Sequence, residues 1–350
     1  MKNFSEHIIS VSENAREGLK KLEFLPDGEN RTLFVIDDKN SLMGTITDGD
    51  IRRGLLNGQE ISNCIEWFMN KNFKYLNEDD NYLKKIKDFR DLDIWLVPLL
   101  DNAKTIVKIL DLKSTVTLIP ASALIMAGGR GERLRPFTDS TPKSMLLVGD
   151  KPIIEHNIDS LVRYGITEIF ISVNYLADQI INYFGDGSKK GITIHYILEN
   201  EPLGTIGALG LINKIGNEHL LVMNADLLTN IDFEDFFNFY LDSNSEMCIA
   251  SIPYKVNVPY AVLQTENNRI TSFIEKPSYT YYSSGGIYFI KSKLKENIPV
   301  SRFYNATDLM QDMMTKNEHV SHYPMLNYWL DIGKPQDYIK AQEDIKHLKF

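Results

Sequence analysis

Two rhythms of apolar and polar positions divide the chain. In its longer second part, short apolar runs at 123–126, 169–173, 192–198 and 220–222 have the length of buried strands. They alternate with stretches of helical spacing at 152–164, 176–184 and 205–213. Along 152–164 the apolar stripe is Ile154, Ile158, Leu161 and Val162, entered through Pro152 and ended by Gly165. Alternation of this kind predicts a mostly parallel sheet with crossover helices on both faces, and such sheets bind ligands at the carboxyl ends of their strands. A strand pair follows at 262–265 and 270–275, turning at Asn267 and Asn268.

The first part is built from smaller units. Residues 12–24 place Ala15, Leu19 and Leu22 on one helical stripe, which Pro26, Asp27 and Gly28 break. Strands at 32–36 and 42–46, joined by the polar turn 37–40, run into GTITDGDIRRGLLNG, where a helix starts near Asp48. The order then returns more weakly, with a helix at 81–89, strands at 94–99 and 105–110, and a turn at 111–114. The intervening KSTVTLIPAS has no helical period and contains Pro120, so the expected division is 1–116 and 120–350.

Composition narrows the function. With 43% hydrophobic residues in 350, two cores can be filled. A net charge of −9, from 38 basic and 47 acidic residues, argues against a general nucleic-acid or anionic-membrane binder. Cys64 and Cys248 can build neither a disulfide framework nor a cysteine-rich zinc site, and the seven histidines show no metal-binding spacing. The opening residues lack the apolar core of a signal peptide, and no apolar run approaches the roughly eighteen residues of a membrane span, so a cytoplasmic location is expected.

Against that acidic background Arg130, Arg133, Arg135 and Lys143 concentrate positive charge within ALIMAGGRGERLRPFTDSTPK. The apolar strand breaks directly into glycines, whose backbone can approach an anion closely and turn several N–H groups toward one oxygen. Gly-Gly-x-Gly alone also occurs in ordinary surface turns, but the complete string resembles the signature of the sugar-1-phosphate nucleotidyltransferases. The resemblance implies a Rossmann-like, GT-A-like α/β nucleotidyltransferase domain with Arg133 and Lys143 as catalytic cations. It also implies nucleotide contacts at Ala127, Gly128, Gly129 and Gly131. Glu132 departs from the family, which often has Thr or Ser there, and this removes one phosphate contact.

Further strings extend the resemblance. ENEPLGTIGAL is similar to the family's base-and-ribose loop, implying nucleoside contacts at Leu203, Gly204 and Thr205 with Glu201 nearby. Asp226 follows the strand at 220–222, where a hard oxygen ligand suits Mg2+ with phosphate oxygens and water completing its shell, and YWLDIGKPQDY resembles the family's closing motif, which implies Asp331 as the second metal ligand. Glu275-Lys276-Pro277 resembles the tripeptide that holds sugar hydroxyls and sugar phosphate. Gly286 matches a sugar-contacting glycine, although Ser284 stands where the family usually has Asn, which points to a sugar other than glucose or mannose.

The first part resembles a small α+β CBS domain pair. In that comparison Thr47 and Asp50 would contact an adenine nucleotide, although capping of the helix that follows explains both residue types by itself. The order of the two parts is similar to that of bacterial guanylyltransferases acting on amino-sugar phosphates. It implies GTP and glucosamine-1-phosphate as substrates and a homo-oligomer. Uridylyl, thymidylyl and mannose-1-phosphate guanylyl transfer remain alternatives within the class, and a non-catalytic nucleotide sensor is the alternative outside it. A dinucleotide-dependent oxidoreductase fits the alternation but not the loop, which lacks Gly-x-Gly-x-x-Gly.

Overall fold

The computed structural model describes residues 4–26, 30–77, 80 and 82–348. Its internal contacts separate two compact units, Met1–Leu118 and Ile119–Phe350. The expected break at Asp27 and Gly28 and the helix start at Asn81 lie outside the described residues.

The first unit repeats one strand pattern. Strand β1 (Ile8–Ser10) leads to helix α1 (Ala15–Phe24), then β2 (Thr32–Ile36), β3 (Leu42–Thr47) and α2 (Asp48–Leu56). Next come β4 (Leu76–Asn77), α3 (Tyr82–Asp91), β5 (Leu96–Leu100) and β6 (Ile106–Asp111). In each half the first strand pairs parallel with the second and the second antiparallel with the third. Helix α1 begins three residues later than its apolar spacing suggests because Asn14 accepts a hydrogen bond from the Glu17 N–H (3.1 Å) and fixes the N-terminus. Phe34 and Leu42 pack with Leu96, Leu100 and Ile109, so the two halves share a core.

The second unit starts with β7 (Ala121–Met126) and the short strands β8 (Leu147–Val148) and β9 (Lys151–Pro152). Alternation follows: α4 (Ile153–Arg163), β10 (Glu168–Val173), α5 (Ala177–Phe184), β11 (Thr193–Leu198), β12 (His219–Asn224), β13 (Leu227–Thr229) and α6 (Phe233–Asp242). The remainder comprises β14 (Met247–Asn257), β15 (Val262–Glu266), β16 (Arg269–Ile274), β17 (Ser278–Lys291), α7 (Ala306–Thr315), β18 (Val320–Pro324), β19 (Trp329–Asp331) and α8 (Pro335–Asp344). The main sheet has the order β11-β10-β7-β12-β17-β14-β18, with only β17 running against its neighbours. Residues 121–125 of β7 and 220–223 of β12 are buried, as strands covered on both faces require.

One expected element is corrected. Residues 205–213 do not form an α-helix; they contain a 3₁₀ segment, Gly207–Leu211. A Cβ at Gly207 would lie 2.9 Å from the Arg302 carbonyl oxygen and one at Gly210 3.2 Å from that of Ile298. The segment is thus packed directly against distant backbone, and tertiary packing overrides its helical spacing.

Behind the sheet, His219 sits between Phe237 and Tyr240, at 5.3 and 5.4 Å between ring centroids, with Nδ1 3.3 Å from the Tyr240 hydroxyl. Burial holds its pKa below the ordinary value, Glu218 opposing the shift and Lys291 adding to it. The unfolded chain therefore binds a proton near pH 6.5 that the folded imidazole refuses, and stability must fall as pH drops through that region. Urea unfolding between pH 7.5 and 5 should show this loss, and His219→Gln should have a flatter profile; equal slopes in the two proteins would contradict the assignment.

Candidate active site

The end of β7 opens into a cleft of about 550 Å3 lined by the glycine loop. Ala127 does not face it: the residue is buried and its N–H donates to the Ser172 carbonyl (2.9 Å), which anchors the loop to β10. Gly128, Gly129 and Gly131 do line it, with Arg130, Glu132, Arg133 and Lys143. At Gly131 φ is +62°, and a Cβ would lie 2.9 Å from that of Lys143, so only glycine lets the loop pass this close to the lysine. The Thr138 hydroxyl donates to the Gly131 carbonyl (2.8 Å) and holds that turn.

Strand pairing brings the two expected metal ligands together. Strands β13 and β19 run antiparallel with Leu227 opposite Asp331, and the Ile332 N–H donates to the Asp226 carbonyl (3.1 Å). The Lys143 ammonium forms an ion pair with Asp226 and lies 3.8 Å from Oδ1 of Asp331. Burial and the neighbouring Asp226 push the Asp331 pKa up, while Lys143 and Arg133 oppose the shift. Oδ1 of Asp226 and Oδ1 of Asp331 are both buried without a hydrogen-bond partner. Two hard oxygen donors with unused lone pairs fit Mg2+. Among the described residues no group of three or more candidate ligand side chains exists, so substrate oxygens and water would have to complete the shell.

Arg133 is exposed in the cleft and makes no ion pair among the described residues. Gly333 brings it near the carboxylates: a Cβ there would lie 3.6 Å from Nη2 of Arg133 and 3.7 Å from Oδ1 of Asp331. The two signature cations of the motif therefore meet the same carboxylates, Lys143 paired and Arg133 with no ion pair among the described residues.

Leu203, Gly204 and Thr205 line the same cleft, but Glu201 is exposed outside it. The acidic residue of this loop that enters the cleft is Glu199, missed from the sequence. Its carboxylate accepts hydrogen bonds from the Ser172 hydroxyl and from the Leu203 N–H (3.0 Å), and a Cβ at Gly128 would lie 3.0 Å from its Oε1. Position held a clue: Glu199 directly follows β11, at a strand's carboxyl end, whereas Glu201 lies farther out in the turn. Asn224, Phe303 and Gly333 also line the cleft.

The expected sugar contacts are not assembled with these groups. Gly286, with φ +71°, is buried against Asn224, where a Cβ would come 2.8 Å from Nδ2. Glu275 and Lys276 are exposed and do not line the cleft. The reason is the length of the β14–β17 ribbon, whose pairing continues to Asn257 opposite Ser278, far past the point where β17 leaves β12 at Met223 opposite Ile287.

The family model described as nucleotidyl transferase matches residues 122–347. The chain is 32% identical over 224 residues to the mannose-1-phosphate guanylyltransferase catalytic subunit beta of Drosophila melanogaster, covering 62% of this chain and 60% of that protein. The chain thus spans about three-fifths of the length of that relative. It is 30% identical over 230 residues to the D-glycero-alpha-D-manno-heptose 1-phosphate guanylyltransferase of Aneurinibacillus thermoaerophilus, covering 64% of this chain and 98% of that protein. Among solved structures, HddC from Yersinia pseudotuberculosis in complex with GMP-PN superposes with a TM-score of 0.50 at 28% identity, over 64% of this chain and 99% of that one.

Asp331→Asn tests the paired carboxylates without reference to turnover. Without divalent cations its thermal midpoint should equal or exceed that of the parent protein, because a carboxyl whose pKa is raised by folding opposes the fold once ionised. Mg2+ with inorganic tripolyphosphate should raise the parent's midpoint and leave that of the variant unmoved. A shift of equal size in both would remove Asp331 from the ligand set.

Proposed function

The chain belongs to the nucleotidyl transferase family, and from that premise we propose that it transfers a guanylyl group from GTP to a hexose-1-phosphate, releasing pyrophosphate. The observation that carries this reading is the meeting of the glycine loop, Lys143, Asp226, Asp331 and an unpaired Arg133 around one cleft. The guanylyl choice is supported by relatives whose names state it, on mannose-1-phosphate and on a heptose 1-phosphate.

A phosphate oxygen of the sugar-1-phosphate forms a bond to the α-phosphorus, and the α–β bridging bond breaks with its electron pair going to pyrophosphate. The nucleophile is already an anion, so no general base is required. Catalysis then rests on bringing two polyanions together and neutralising the charge of the transition state. The glycine loop offers backbone N–H groups to the triphosphate, and Arg133 supplies a cation not committed elsewhere. Lys143 starts from its pair with Asp226 and is within reach of the same phosphates. Mg2+ held by Asp226 and Asp331 would supply further charge neutralisation at the phosphoryl oxygens.

The finer reading is that the sugar is glucosamine-1-phosphate and the product serves bacterial legionaminic acid synthesis. It is supported by the order of domains and by Ser284, whose hydroxyl is 2.9 Å from that of Tyr288 and which departs from the Asn implied by the sequence resemblance. Glu275, Lys276 and Gly286 are assigned to the sugar phosphate in this reading. The first unit is read as a CBS pair, supported by its repeated strand pattern and by a cleft of about 370 Å3 lined by Thr47, Arg31, Lys74 and Trp95. Asp50 does not line this cleft, its Oδ2 accepting from the Thr47 N–H (2.9 Å) and hydroxyl (2.6 Å) and its Oδ1 from Arg53 (2.5 Å); Thr47 does line it and is the better candidate contact for an adenine nucleotide. AMP or ATP should raise the thermal midpoint of the parent and raise it less in Thr47→Val; no shift with either nucleotide would defeat the ligand reading.

Pyrophosphate release with Mg2+, screened over five nucleoside triphosphates and four hexose-1-phosphates, should be fastest with GTP and glucosamine-1-phosphate. Preference for another pair would keep the reaction and change the pathway. Arg133→Ala should fold normally and lose roughly a hundredfold or more in kcat, the cost of removing one preorganised charge; a folded variant with full turnover would refute its role.

A further inference from the structure

Phe303 lines the cleft, yet the residue is left 64% exposed. Its backbone surroundings are fixed to the loop at 203–206 by four hydrogen bonds. The Tyr304 N–H donates to the Leu203 carbonyl (2.9 Å) and the Ile206 N–H to the Tyr304 carbonyl (3.3 Å). The Thr205 N–H donates to Oδ1 of Asn305 (3.2 Å), and the Ala306 N–H to Oγ1 of Thr205 (2.9 Å). Gly204 permits the approach: at its φ of +82° a Cβ would lie 2.6 Å from the Tyr304 carbonyl oxygen. The adjacent Tyr304 is committed elsewhere, its hydroxyl donating to Asp312 (2.5 Å), whereas the Phe303 ring meets no other aromatic ring among the described residues.

A largely exposed phenyl ring on a backbone fastened by hydrogen bonds leaves apolar area that a flat partner could cover. We propose that Phe303 is the platform on which the nucleobase stacks. This rests on the reading that the nucleoside lies along Leu203, Gly204 and Thr205, the loop to which Phe303 is fastened. Of the sugar-phosphate candidates, Glu275 and Lys276 do not line the cleft and Gly286 packs against Asn224. Every base has a π-face, so Phe303 sets nucleotide affinity without choosing guanine.

Phe303→Ala should raise the KM for GTP between about 5- and 150-fold, the range of base–aromatic stacking, while kcat and the KM for the sugar phosphate stay within about threefold. Phe303→Tyr and Phe303→Trp should restore the KM, which a merely structural role for the ring would not require. In Phe303→Trp, emission corrected for Trp67, Trp95 and Trp329 should be quenched by GDP and not by inorganic tripolyphosphate, which can occupy only the phosphate loop. An unchanged KM in Phe303→Ala, or a Trp signal indifferent to saturating GDP, overturns the proposal. Quenching by GDP in a protein whose parent is inactive on every substrate pair would uphold stacking and defeat the catalytic reading. Should the alanine variant fail to fold, the tryptophan signal decides alone.

Discussion

Two carboxylates held side by side are the constraint on which the site depends. Asp226 and Asp331 come from positions more than a hundred residues apart, and the register of β13 against β19 leaves neither free to move away. Burial first and the neighbouring Asp226 second push the Asp331 pKa up, and the Lys143 ammonium, paired with Asp226 and 3.8 Å from Asp331, opposes that shift together with Arg133. Such an arrangement is costly by itself and favourable once cations and phosphates enter, which is how preorganised electrostatic sites are built. Arg133 remains outside the pairing, so the cleft keeps a positive charge in reserve for an anion.

The parallel sheet supplies the rest by geometry. Loops at the ends of β7, β11 and β12 open toward one cleft because these strands run in the same direction, and β17, inserted against them, places Gly286 beside Asn224. Glu199 joins two of these loops: it lies against Gly128 and accepts the Leu203 N–H that closes the turn at 199–203. A buried carboxylate with partners on both oxygens is costly to disturb, so the glycine loop and the 203–205 loop are held in fixed relation.

The first unit uses its signature residues differently. Thr47 and Asp50 form a reciprocal capping box at the start of α2, so the helix cap explains both residue types in structural terms. Thr47 nevertheless lines a polar cleft within that unit, while Asp50 gives its oxygens to Thr47 and Arg53. The two differ in place rather than in commitment: Thr47 borders that cleft and Asp50 does not, while the Thr47 hydroxyl itself donates to Asp50 (2.6 Å) and accepts the Asp50 N–H (3.3 Å).

Local pattern was enough to read the alternating strands, the turn at Asn267 and Asn268, and the glycine-rich loop with its cations. Each of these is encoded by neighbours in sequence: apolar period for the strands, φ of +47° and +61° for the two asparagines, and the missing Cβ for the loop. The carboxylates at Asp226 and Asp331 were legible as well, because each follows a short apolar run. Long-range packing decided the remainder. The 205–213 stretch forgoes its helix because carbonyls from 298–302 lie against its glycines. Glu199 replaces Glu201 because a turn closes on its carboxylate, and Ala127 turns out of the cleft because its N–H pairs with β10. Phe303 reaches the cleft only because backbone from 304–306 docks onto residues a hundred positions earlier, a contact that leaves no periodic trace in the sequence.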